Sequence, residues 1–151
     1  MSDASFHGYG YTLVQAAKFD TKGNPVKFDL IKAGSRTLKP VETRYSVTEI
    51  EATGLNWSLG KCNYYLKGAQ NTQVWVDHRP LVSLRSKSLA TMTSRLCRIF
   101  EKLADYDFDI KYVKGSSHYL PDYLSRKPSS LPTKEDAVFC RAINAGSPDS
   151  T

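Results

Sequence analysis

The side chains of this 151-residue chain whose positions bear on chemistry are carboxylates. Glu51 lies four residues after Val47 and four before Leu55, in the middle of an apolar stripe that Leu59, Cys62 and Leu66 continue at helical spacing. An ionised carboxylate taken out of water is costly unless it is paired or bound to a metal, so Glu51 asks for a partner. Its neighbour Glu49 falls on the side with Tyr45 and Asn56, where solvent accounts for it. Asp77 ends a run of apolar residues and stands where side chains project into a cleft at the end of a sheet. Asp122 sits just inside a helix start, a place also explained by the helix dipole, and Asp3, near the first residue, is uninformative by itself. No His, Cys or Lys cluster competes with these acids, and carboxylate oxygens are preferred ligands of hard cations such as Mg2+.

The charge balance supplies a second component. There are 21 Lys and Arg against 15 Asp and Glu, for a net charge of +6. Between Arg79 and Lys102 stand Arg79, Arg85, Lys87, Arg95, Arg98 and Lys102 against the lone acid Glu101. Such a segment attracts polyanions, and phosphate backbones are the commonest. Converging acids beside a basic groove point to metal-assisted phosphodiester chemistry, in which two ions about 3.5 to 4 Å apart activate a water and stabilise the leaving oxygen. No apolar run approaches the roughly 20 residues that span a bilayer, and the first residues lack the apolar stretch of a signal peptide, so an intracellular, cytoplasmic or nuclear protein with no membrane partner is expected. Cys62, Cys97 and Cys140 are odd in number and far apart, which favours neither disulfides nor zinc.

The elements that must position these residues are legible in part. Gly10 to Lys18 and Val26 to Ala33, separated by Asp20-Thr-Lys-Gly-Asn-Pro25, predict a hairpin. Glu42 to Leu66 predicts one long helix, Thr72 to Asp77 an interior strand stopped by His78-Arg-Pro80, and Met92 to Ala104 a helix burying Leu96, Ile99, Phe100 and Leu103. Asp107 to Val113 alternates as a half-buried strand, and Pro121 to Ser125 begins a short helix. Tyr64, Tyr65 and Trp75 are expected in the core. Residues 1–127 read as one domain and 128–151, rich in Pro and Ser, as a disordered tail. The fold class is α/β, one mixed sheet flanked by helices.

Several segments occurring in order resemble a known family: Thr37 to Ala52, Val76-Asp-His-Arg-Pro-Leu81, and Tyr112-Val-Lys-Gly followed by Pro121-Asp-Tyr-Leu-Ser-Arg126. They are similar to the ribonuclease H domain of gypsy-type LTR retrotransposon reverse transcriptase polyproteins, over Asp3 to about Lys127. The resemblance implies a ribonuclease H-like sheet with its first strand largely truncated, since only two residues precede Asp3. It places the catalytic and metal-binding acids at Asp3, Glu51, Asp77 and Asp122, with Mg2+ or Mn2+ as cofactor, in two ions. The implied reaction is endonucleolytic hydrolysis of the RNA strand of an RNA-DNA hybrid, beside a reverse transcriptase polymerase domain of the parent polyprotein. Arg79, Arg85, Arg95 and Arg98 are candidate hybrid contacts. His118 is a possible auxiliary residue, because Tyr112 stands where cellular and retroviral relatives place a histidine. Other readings are a catalytically silent nucleic-acid-binding or interaction domain derived from a retroelement, and an integrase-like nuclease. Against the latter stand the helix glutamate, the Asp-His-Arg-Pro-Leu segment and the terminal Leu-Ser-Arg.

Overall fold

The computed structural model describes residues 1–23, 25–117 and 119–126. Strands β1 (Ser2–Ala4), β2 (Gly8–Phe19) and β3 (Pro25–Thr37) form an antiparallel sheet in that order, with Asp3 opposite Gly10 and Gly10 opposite Ser35. The β2–β3 hairpin turns where Asp20 Oδ1 accepts a hydrogen bond from the Lys22 N–H at 2.8 Å, as the turn-rich sequence requires. Its base is buried from Gly8 to Thr12, and its outer half projects into solvent.

A 3-10 turn at Glu42–Arg44 leads into α1 (Val47–Lys61). Ser46 starts that helix with a reciprocal pair: its hydroxyl accepts from the Glu49 N–H, and the Glu49 carboxylate accepts from the Ser46 N–H. The chain then runs through α2 (Asn63–Leu66), β4 (Gln73–Val76), α3 (Arg79–Arg85), α4 (Ser94–Leu103), β5 (Asp109–Tyr112) and α5 (Tyr119–Arg126). Strands β4 and β5 pair in parallel, from Gln73 opposite Asp109 to Val76 opposite Tyr112, with α3 and α4 making the crossover that a parallel pair requires. Leu55 and Leu59 of α1, Val74 and Val76 of β4, Leu81 of α3, and Ile99, Phe100 and Leu103 of α4 fill one core.

The expected mixture of strand directions is present, as two ladders side by side. Strand β1 lies against β4, yet no backbone ladder joins them, because a three-residue strand offers few groups to its second edge. The single helix expected over Glu42 to Leu66 is divided into three pieces. Val47, placed on the apolar stripe by its spacing, is 50% exposed at the first turn of α1. Beyond Cys62 the chain leaves the α1 axis, so Tyr64 and Tyr65 lie at the surface, 89% and 47% exposed, rather than in the core. Trp75 is half-buried on the outer face of β4, its ring 5.7 Å from that of Phe28. His78-Arg-Pro80, read as a stop, opens α3, since proline is accommodated in a first helical turn. The residues expected to form a C-terminal tail lie outside the described ones.

Between the hairpin and α1, Arg36 forks onto Glu42 with Nη1 and Nη2 at 2.9 and 2.7 Å, while the Lys39 N–H donates to the same carboxylate. The guanidinium lies 4.5 Å from the centre of the Tyr9 ring, and Tyr9 packs on Trp57. Burial pushes the Glu42 carboxyl upward, but Arg36 and the Lys39 N–H outweigh it and hold its pKa below the usual value. Gly54 lets α1 approach closely: a Cβ there would stand 2.8 Å from Tyr9 Cδ1.

Candidate metal centre

Three elements deliver one acid each to the same end of the molecule. Asp3 is the middle residue of β1, Glu51 lies in the second turn of α1, and Asp77 directly follows β4. One carboxylate oxygen from each lies within 4.8 Å of the others. Glu51 is 7% exposed and Asp3 3% exposed. Asp3, uninformative in the sequence by itself, is thus among the most buried polar residues. The reason is that β1 is clasped between α1 and α5: Ser2 Oγ meets Ser58 Oγ at 3.1 Å, and the Ser125 hydroxyl donates to Asp3 Oδ2 at 2.5 Å.

The electrostatics follow from that burial. Desolvation, then the charges of Asp3 and Asp77, push the Glu51 carboxyl up to about 9, against a single opposing hydrogen bond from the Ala4 N–H. Desolvation, with the charges of Asp77 and Asp122, pushes Asp3 up to about 7, opposed by the Ser125 hydroxyl. No Lys or Arg forms a salt bridge with Asp3, Glu51 or Asp77 among the described residues. Clustered carboxyl oxygens with no salt bridge to satisfy them are a donor set suited to a hard divalent ion, which would let all of them ionise.

Asp122 stands apart from this trio. It acts on Asp3 through its charge, but its Oδ1 accepts a hydrogen bond from Arg126 Nε at 2.6 Å, on the more exposed side of α5. Helix α5 reaches the site because β2 carries Gly10, where a Cβ would lie 2.4 Å from the Pro121 carbonyl oxygen and 2.6 Å from the Ser125 N. His78 is turned toward α1, with Nε2 3.2 Å from Thr48 Oγ1; burial holds its pKa below the ordinary value, with Asp77 opposing. His118 lies outside the described residues.

The arginines singled out from the sequence are placed differently from one another. Arg79 stacks over Tyr112 at 4.6 Å and Arg85 over Phe108 at 4.3 Å. Arg95 covers the Tyr45 ring at 4.0 Å and donates to Glu49 Oε1 at 2.9 Å, while Arg98 is exposed on α4. Glu49, assigned to solvent by its spacing, is therefore an ion-pair partner whose side chain is only 12% exposed. Sequence reasoning also passed over Ser125, Gly10 and the Arg36–Glu42 pair. The Leu-Ser-Arg tripeptide belongs to a motif, but its spacing carries no sign that its serine meets Asp3.

Residues 1–106 match the model of the RNase H-like domain found in reverse transcriptase. The chain is similar to the retrovirus-related Pol polyprotein from transposon 412 of Drosophila melanogaster, 36% identical over 92 residues, which cover 61% of this chain and 7% of the relative. It is 28% identical over 126 residues to the Pol polyprotein from transposon gypsy of the same organism, covering 83% of this chain and 11% of that one. The Tf2-3 polyprotein of Schizosaccharomyces pombe is 29% identical over 126 residues, 83% of this chain and 9% of the relative. The chain thus spans about a tenth or less of these relatives. Among solved structures, RNase H1 from the halophilic archaeon Halobacterium salinarum NRC-1 superposes with a TM-score of 0.51 at 18% identity, covering 81% of this chain and 86% of that one, and so shares the fold.

Proposed function

The chain belongs to the family of RNase H-like domains found in reverse transcriptase, and on that premise we propose that its acidic centre hydrolyses the RNA strand of RNA-DNA hybrids as part of a retrotransposon Pol polyprotein. The observation that carries this reading is the convergence of Asp3, Glu51 and Asp77, from three separate elements, to within 4.8 Å with no salt bridge to any of them among the described residues. Asp122 is assigned as the fourth acid, on the strength of its charge acting on Asp3. Residues 1–127 form the functional unit, and the polymerase domain of the parent polyprotein is its partner.

Asp3, Glu51 and Asp77 would hold Mg2+ or Mn2+, and Asp122 would complete a set for two ions. Bound there, the ions supply Lewis acidity toward a phosphodiester and a more acidic water. The protein's own contribution is placement. The Ala4 N–H orients the Glu51 carboxylate, Ser125 fixes Asp3, and the basic residues of the α3–α4 segment would attract a phosphate backbone. Arg79, Arg85, Arg95 and Arg98 are the proposed hybrid contacts, reading phosphates and 2'-hydroxyls rather than bases.

The test is incubation of the purified chain with an end-labelled RNA-DNA hybrid and Mg2+, beside Asp77→Asn and beside a sample with chelator. Cleavage of the RNA strand that disappears in both controls is expected. Hybrid binding without cleavage would favour a silent binding domain. Cleavage that persists in Asp77→Asn would remove the metal assignment.

A further inference from the structure

Ser125 is fully buried, and three contacts converge on it. Its hydroxyl donates to Asp3 Oδ2 at 2.5 Å and lies 2.9 Å from the Asp122 carbonyl oxygen. Its own carbonyl accepts a hydrogen bond from Ser5 Oγ at 2.8 Å. The Ser5 hydroxyl in turn accepts the N–H groups of His7 and Gly8, so it belongs to the turn that joins β1 to β2. At the same place the backbone of α5 rests directly on Gly10 of β2. One hydroxyl thus ties the strand that carries Asp3 to the helix that carries Asp122.

The geometry of an α-helix makes that tie consequential. Asp122 precedes Ser125 by three residues, so the two side chains emerge on neighbouring faces about one turn apart. Fixing Ser125 against Asp3 therefore fixes the rotation of α5 about its axis, and with it the direction of the Asp122 carboxylate. Among the described residues Asp122 has no comparable restraint of its own: its ion pair with Arg126 lies on the same helix and turns with it. Volume alone does not account for a serine here, because alanine would fill the seat over Gly10 without the hydroxyl.

We propose that Ser125 is the positioning residue that sets Asp122 against the Asp3–Glu51–Asp77 trio. This rests on the nuclease reading above and deepens it. Ser125 touches neither substrate nor ion; it acts through the two aspartates.

The experiment is a double-mutant cycle on the full chain with Ser125→Ala, Asp122→Asn and the combination. Each protein is measured by calorimetric titration with Mn2+ and by kcat and KM on an RNA-DNA hybrid. Ser125→Ala is expected to weaken Mn2+ binding about tenfold and to lower kcat by at least as much at unchanged KM, on the scale of lost support for a metal ligand. In the Asp122→Asn background the same substitution is expected to cost several-fold less, because only its hydrogen bond to Asp3 is then left to lose. Should Ser125→Ala not fold, Ser125→Cys, whose somewhat larger thiol fills the seat but donates weakly, is scored in the same way. Equal effects in both backgrounds, or a lower melting temperature with Mn2+ affinity unchanged, would overturn the proposal while leaving the nuclease reading intact. Absence of Mn2+ binding and of cleavage in the unmutated chain would overturn both.

Discussion

Replacing Glu51 by glutamine should stabilise the metal-free protein, by an amount that grows with pH. The Glu51 carboxyl is raised from an ordinary 4.5 to about 9 by burial and by the neighbouring aspartates. Above pH 4.5 the unfolded chain releases this proton while the folded chain keeps it, so stability present at low pH is lost steadily until the folded value is passed. At about 1.4 kcal/mol per pH unit, the cost to the wild type is about 1 kcal/mol at pH 5 and about 3 to 4 kcal/mol at pH 7. Glutamine carries no such cost, and its amide oxygen still accepts the Ala4 N–H. Urea denaturation with chelator at the two pH values is the assay, and the gap between variant and wild type should widen by about 3 kcal/mol from the lower to the higher. Excess Mg2+ should narrow it, because only the wild type keeps the full ligand set. A glutamine variant less stable than wild type at both pH values, or a gap independent of pH, would refute the account of Glu51 as a desolvated acid.

Further outcomes concern the scaffold and the surface. Gly10→Ala places a methyl against the α5 backbone and should cost about 1 to 3 kcal/mol in chemical denaturation, with a larger fractional loss of cleavage because α5 is displaced. Glu42→Gln leaves Arg36 without its carboxylate partner between Tyr9 and Trp57, and the melting curve should report a loss of about 2 kcal/mol. Hybrid binding followed by fluorescence anisotropy should weaken steeply with salt. Arg98→Ala should lower the slope of log affinity against log salt by about one, whereas Arg95→Ala should lower it less, because Glu49 already engages that guanidinium.

How far the molecule is legible from its residues depends on whether the information is local. The hairpin, α4 and β5 were readable because turn residues and apolar periodicity act over a few positions, and Leu96, Ile99, Phe100 and Leu103 are buried as their spacing implies. Glu51 was readable for the same reason, since an acid inside an apolar stripe is a local contradiction. Asp3 was not, because its burial comes from α1 and from α5, more than a hundred residues away. Tyr64 and Tyr65 misled because hydrophobicity describes a preference for burial, and the break at Cys62 decides which way they face. The Glu49–Arg95 and Arg36–Glu42 pairs join segments by geometry that no periodicity encodes.

The gap between the two ladders has a mechanical meaning. Asp3 belongs to one and Asp77 directly follows a strand of the other, and among the described residues no main-chain hydrogen bond crosses that seam from β1 to β4 to resist sliding or splaying. An ion gripped from both sides would act as a rivet, so occupancy and rigidity should rise together. On the proposed nuclease reading, a hybrid would meet a surface stiffened by the same event that completes the site.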